Sequence, residues 1–200
     1  MKKVFSALFI VSILFAGNVT AGERLPLSFT GQFGYALPQG NMFETEAGDN
    51  MTRFGLSFDA DALWHLQQTN YRLGVGFAIN SAILFGADLE GFSNIGLYGL
   101  SLYGVRGYYR FFNSRVSPFG TLTLGLSQFS TPEITIGDTV IPSESAFNFG
   151  VRPEIGIEFG AFVLSVSYML PMNYTINDLS GSAGSWQIAL GTRISLFNRN

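Results

Sequence analysis

From residue 27 onward the chain alternates apolar positions with small or polar ones at a period of two. In residues 27–37 the odd positions are Leu27, Phe29, Gly31, Phe33, Tyr35 and Leu37, and the even ones Ser28, Thr30, Gln32, Gly34 and Ala36. Successive side chains of a strand point to opposite faces, so this is a strand lying between two unlike environments. Residues 54–66 repeat the pattern: Arg53, Gly55, Ser57, Asp59, Asp61 and His65 share one face, with Leu63 as the exception. Six further segments alternate in the same way, at residues 71–79, 103–111, 117–127, 147–158, 162–170 and 185–196. The fourth strand is expected to start near Ile95, although residues 95–102 are apolar on both parities and leave its facing open.

Eight strands of roughly 10 residues each fit a tilted bilayer crossing. In a soluble sandwich the outer face would carry the charges and the inner one would be apolar. Here the charges share a face with Gly, Ser and Thr, and the opposite face carries almost none. A face that apolar needs lipid, and a sheet in lipid must close so that no edge is left unpaired. The predicted fold is therefore all-β: an eight-stranded antiparallel transmembrane β-barrel with short periplasmic turns and longer extracellular loops. The connections fit it, short at residues 67–70, 112–115 and 159–161, long at 38–50, 85–94, 130–145 and 171–184. Trp64, Tyr71, Tyr109, Phe111 and Phe112 gather near the short-turn end, and Phe54, Phe147, Tyr168 and Trp186 near the other. Two such bands suit the two membrane interfaces.

Composition narrows the classes further. Charged residues make up 12% and aromatics 15%, too greasy for a disordered tail, and cysteine is absent. No disulfide framework or thiolate metal site can exist. The chain is acidic, with pI near 5.1, which argues against nucleic acid as a partner. Lys2 and Lys3 precede the apolar residues 4–15, and Val19 and Ala21 place small residues before Gly22. That order reads as a signal peptide over residues 1–21, cleaved to leave 22–200 as one outer-membrane barrel domain after Sec-type export. Twelve apolar residues would rise only about 18 Å as a helix, too short for an anchor. Cleavage removes the only two lysines, so every basic residue left is arginine.

On these features the chain resembles the small eight-stranded outer-membrane barrels of OmpA/OmpX type, or more broadly the outer membrane protein β-barrel domain or porin-like family. The resemblance spans residues 27–197 and includes the alternating final segment 186–197, which looks like the assembly signal of such barrels. It departs from the pattern in that Asn198, Arg199 and Asn200 follow the last aromatic, Phe197. The resemblance implies a Gram-negative outer-membrane location and contact with the barrel-assembly machinery through the last strand. It identifies no activity.

The candidate chemistry falls into two groups. The inward face is expected to carry Arg53, Asp59, Asp61, Arg72, Arg106, Arg110, Arg152, Glu154, Glu158 and Arg193 as an ion-pair network plugging the lumen, with Arg72 and Arg106 answering Asp59 and Asp61. The long loops carry Glu44, Glu46, Asp49, Asp88, Glu90, Glu133, Asp138, Glu144 and Asp178 and no basic residue. They form an acidic rim open to an extracellular partner. No loop has calcium-site spacing. His65 is the only histidine, and Asp61 on its own strand lies about 13 Å away, so a partner would have to come from a neighbouring strand. Barrel deacylases of lipid A keep their catalytic His and Ser two apart; here Leu63 and Gln67 flank His65 at that spacing. The expectation is a monomeric, non-enzymatic barrel without cofactor or metal, touching membrane lipids and serving a structural, adhesion or surface-interaction role. A narrow porin-like channel is the first alternative and a lipid A-modifying barrel enzyme the second.

Overall fold

The computed structural model describes residues 26–44, 52–86, 96–136, 139–176 and 179–196. Strands β1 (Leu27–Gln39), β2 (Thr52–His65), β3 (Leu73–Gly86), β4 (Leu97–Arg110), β5 (Val116–Ser130), β8 (Ser145–Phe159), β9 (Phe162–Ile176) and β10 (Leu179–Ser195) form the barrel wall. Strands β6 (Ile134–Ile136) and β7 (Thr139–Ile141) form a separate two-stranded sheet in the β5–β8 connection, which the alternation did not foreshadow. The barrel closes in the order β1-β10-β9-β8-β5-β4-β3-β2, every pair antiparallel, with first and last strands joined from Ser28↔Ser195 to Gln39↔Gly184. Eight antiparallel strands match the sequence expectation.

The registers fix the shape. One circuit of paired inward positions runs Ala36, Gln187, Ser167, Glu154, Thr121, Tyr108, Gly74 and His65. It returns to β1 at Pro26, whose carbonyl accepts from the His65 N–H at 2.6 Å. Returning ten residues from its start gives a strand tilt of about 40° at ~3.3 Å per residue and ~4.8 Å between strands. Each residue then climbs about 2.5 Å along the barrel axis, so Leu27 to Leu37 spans about 25 Å, the height of a lipid-facing band.

The two faces separate as alternation requires. Phe33 (71% exposed), Phe77 (74%) and Ile155 (70%) stand on the outside, while Ser28, Gln32, Asp59, Arg106, Arg152 and Glu158 are almost water-free inside. Tyr35 and Phe54 stack at 5.8 Å, Phe54 meets Phe85 at 5.3 Å, and Tyr168 stacks on Trp186 at 4.3 Å, forming the aromatic belt of the long-loop end.

Two features depart from the expected layout. Residues 171–184, expected to be a long loop, are largely strand: β9 and β10 pair as far as Leu179↔Ile176. A bulge makes this continuation work, because the pairing steps from Ser185↔Met169 to Ala183↔Met172. Gly184 sits at the step, where a Cβ would lie 2.5 Å from the Met169 carbonyl oxygen. Pro171 therefore lies in a strand at a bulge rather than in a loop, a position proline tolerates. The start expected near Ile95 falls outside the described residues, and the facing left open resolves with Leu100 and Leu102 fully buried inside.

Candidate functional site

The lumen is built in two storeys. In its middle and short-turn half, Asp59 and Asp61 on β2 meet Arg106 and Arg110 on β4, Arg152, Glu154 and Glu158 on β8, and Arg193 on β10. Arg106 forks onto Asp59 with two 2.7 Å bonds, reaches Asp61 at 2.8 Å, and donates Nε–H to Thr123 at 2.9 Å. Arg152 bonds Asp59 at 2.6 Å and Glu154 at 3.3 Å. Arg193 pairs with Glu158 and lies 3.5 Å from Asp61; its guanidinium sits 4.2 Å from the Tyr108 ring centroid. Glu158 also accepts from Tyr108 at 2.7 Å and stands 3.3 Å from Arg110. Four arginines face four carboxylates, so this cluster is electrically neutral. Buried charges are tolerated when they are paired and bonded in this way.

Neutral side chains extend the cluster. Gln32 donates to Glu154 at 3.0 Å and accepts from Ser165 at 2.8 Å, while Asn80 and Gln187 exchange reciprocal amide bonds of 2.8 and 3.0 Å. Among the described residues, no group of three or more His, Asp or Glu side chains has metal-binding geometry.

Two arginines expected in this network stand outside it. Arg53 is exposed at the long-loop rim, because the ladder shifts between Thr52 and Phe54 and the irregularity turns buried Thr52 inward instead. It lines a cleft of about 360 Å³ with Glu44, Gln39 and Thr52, a basic group among the rim acids. Arg72 lies at the short-turn end, where it donates to the Arg110 carbonyl (3.0 Å), the Phe111 carbonyl (2.5 Å) and the Tyr109 hydroxyl (2.7 Å). Asp59 and Asp61 are answered by Arg106, Arg152 and Arg193 instead of Arg72.

His65 is buried, with Nε2 2.7 Å from the Ser28 Oγ and Nδ1 3.1 Å from the Tyr71 carbonyl oxygen. With Nδ1 protonated and donating to the carbonyl, Nε2 accepts from Ser28. Ser28 is the cross-strand partner that spacing along one strand could not reveal, since it stands 37 residues away. The register Ser28↔Leu63 brings β1 beside β2 at this point. Both side chains are sealed inside, beside Tyr108, whose ring meets the imidazole edge at 5.4 Å.

The upper storey is mainly apolar, with the buried Ser127–Tyr174 hydroxyl pair among its side chains. Ala82, Leu84, Leu100, Leu102, Phe129 and Met169 fill the long-loop half of the lumen, and Phe43, from the 3-10 turn Asn41–Phe43, caps it. Phe43 packs on Tyr98 and Phe129 with centroids 6.0 and 5.6 Å apart. Asn41 fastens this turn to β10 by accepting the Ser182 N–H at 2.6 Å. Of the rim acids, Glu44 and Glu133 are exposed and Glu144 is half-buried; Glu46, Asp49, Asp88, Glu90, Asp138 and Asp178 lie outside the described residues.

No protein-family model matches the chain, and neither does any curated protein sequence. Solved structures do. Ail, the attachment invasion locus protein of Yersinia pestis, crystallised with the heparin analogue sucrose octasulfate, superposes with a TM-score of 0.55 at 16% identity, over 85% of this chain and 100% of that one. Neisserial surface protein A superposes with a TM-score of 0.56 at 15% identity, over 85% and 97%. At this identity the likeness is one of fold.

Proposed function

We infer that this chain, which has the fold of the small eight-stranded outer-membrane barrels, resides in a bacterial outer membrane as a monomeric, non-enzymatic barrel whose work is done at its surface. The observation that carries the reading is the doubly filled lumen: a neutral layer of four arginines and four carboxylates below, and an apolar layer capped by Phe43 above. Moving an ion through would require parting buried, bonded charges and then crossing a dry apolar layer, and both steps are costly. The loop end, with Glu44, Glu133 and Glu144 and six further acids spread over the four long connections, is the surface offered to a basic extracellular partner. The polyanion in the Ail crystal does not transfer to this chain, because a rim of this sign repels it. Strand β10, which closes the barrel against β1, is the segment that would meet the assembly machinery.

Among the described residues, Ser28 and His65 form the one arrangement resembling hydrolytic machinery. Both are nearly water-free inside the wall, so a lipid headgroup has no approach to the hydroxyl. This burial supports a structural role for the pair. Recording in planar lipid bilayers tests the main reading. The closed lumen predicts no steady conductance, and a reproducible open state would overturn it.

A further inference from the structure

One basic side chain stands apart from the networks of the lumen and the short-turn end. The β2–β3 ladder passes from Thr52↔Gly86 to Phe54↔Phe85, so Arg53 is an extra residue on β2 without a partner on β3. In phase with Gly55, Ser57 and Asp59 it would point into the lumen, where four arginines already balance four carboxylates. The bulge turns it out to the rim instead, and re-aiming a side chain is a recurrent use of such irregularities. Arg53 is exposed, and among the described residues it makes no hydrogen bond or ion pair. It is also the one described basic side chain at the long-loop end, where the connections carry only acids.

The cleft of about 360 Å³ that Arg53 lines has an unusual set of groups. Glu44 lines it too, yet the two exposed side chains form no ion pair with each other. Thr52, another lining residue, is 2% exposed, and its hydroxyl has no hydrogen-bond partner among the described residues. A buried hydroxyl left unpaired is costly, and a ligand acceptor would relieve it. Leu37 and Phe43 give the cleft an apolar side. A bare anion there would meet Glu44 and the acids of the rim, and a bare cation would meet Arg53. A zwitterion meets neither objection. Height narrows the choice further. The stagger of ten residues around eight strands sets Leu56 on β2 level with Trp186 on β10. Arg53 is three residues higher, so it stands about 8 Å above the outer aromatic belt, at the depth of lipid headgroups, where the common anion is phosphate.

We propose that this cleft binds a phosphoethanolamine group, its phosphate accepting from the Arg53 guanidinium and the Thr52 hydroxyl and its ammonium donating to Glu44. The guanidinium fork matches phosphate oxygens, and a primary ammonium carries the N–H donors that a carboxylate accepts, which a quaternary ammonium lacks. The same group comes from two sources, the headgroup of phosphatidylethanolamine and free O-phosphoethanolamine, and the test has an arm for each. The choice of phosphate rests on the barrel spanning a bilayer, which the test reports separately.

The experiment is NMR titration of the full chain in dimyristoyl-phosphatidylcholine nanodiscs, read at the Arg53 side-chain Nε–H and the Thr52 amide. Cross-peaks from acyl protons to Phe33 and Phe77, on the outer wall, report the bilayer-spanning reading by themselves. O-phosphoethanolamine should shift both resonances saturably, with an affinity at least about tenfold above that of O-phosphocholine or inorganic phosphate. Blending phosphatidylethanolamine into the disc tests the lipid-borne source. A shift in either arm supports the site, and the arm in which it occurs identifies the source. Arg53→Gln should abolish the shift at the Thr52 amide, and Glu44→Gln should erase the preference over O-phosphocholine. Both positions are exposed, so the variants should keep the heat-modifiable band of a folded barrel. No shift from either source, equal affinity for the three compounds, unchanged binding in R53Q or a preference that survives E44Q would each overturn the proposal.

Discussion

Arg106 is the hub of the lower lumen, and Arg106→Met removes its charge at nearly constant volume. The guanidinium makes two bonds to Asp59, one to Asp61 and one to Thr123, and lies 3.7 Å from Glu154. At an effective dielectric of about 20, each unit-charge pair at ~4 Å is worth about 4 kcal/mol, so its two near carboxylates represent about 8 kcal/mol of attraction. Burying the guanidinium costs several kcal/mol of that, which leaves a net loss of about 3–5 kcal/mol on deletion. The loss arises because Asp59, Asp61 and Glu154 then share only Arg152 and Arg193 and the cluster carries a net negative charge. The assay is equilibrium urea unfolding from phospholipid vesicles, followed by tryptophan emission and by heat-dependent gel migration. A sign test accompanies the magnitude: R106M combined with Asp59→Asn should be more stable than R106M alone, with a coupling of about 2 kcal/mol or more. A loss under about 1 kcal/mol, typical of exposed pairs, would mean that water fills the lumen and would refute the closed-layer reading.

Ser28→Ala should cost about 1–3 kcal/mol by withdrawing the hydroxyl from the buried His65 Nε2, with lipid A mass unchanged by mass spectrometry; a serine-dependent mass shift would instead establish an enzyme. Phe43→Ala should destabilise by about 3 kcal/mol through loss of packing on Tyr98 and Phe129, yet stay silent in bilayer recordings because the ion layer below remains intact. Gly125→Ala should block assembly, read as loss of the heat-modifiable band, because the added Cβ would lie 2.0 Å from the Tyr103 carbonyl oxygen and 2.4 Å from the Gly104 Cα.

What alternation reveals and what it conceals both follow from its period of two. Eight strands and the inward facing of Asp59, Arg106, Arg152 and Arg193 were legible, because a strand that keeps its phase assigns every residue to a side. Arg53 was misassigned because a shift of pairing between Thr52 and Phe54 resets the phase, and nothing in the flanking residues announces it. Residues 171–184 resemble a loop through Pro171, Gly181 and Gly184, yet Gly184 is what allows the bulged strand to continue. The apolar storey was hidden for a different reason: Leu100 and Leu102 sit in a run that is greasy on both parities. The Ser28–His65 contact depends on register between strands, and single-strand spacing carries no record of register.

The balance of four arginines and four carboxylates also bears on how the barrel responds to electrical force. A field across a membrane does work of about 2.3 kcal/mol per elementary charge per 100 mV, and it acts on net displaced charge. In this lumen the forces on cations and anions cancel, so a Donnan potential exerts no net push on the cluster toward either end. The wild-type barrel should therefore ignore applied voltage, whereas any variant deleting a single lumen charge would leave a resident ion for the field to grip.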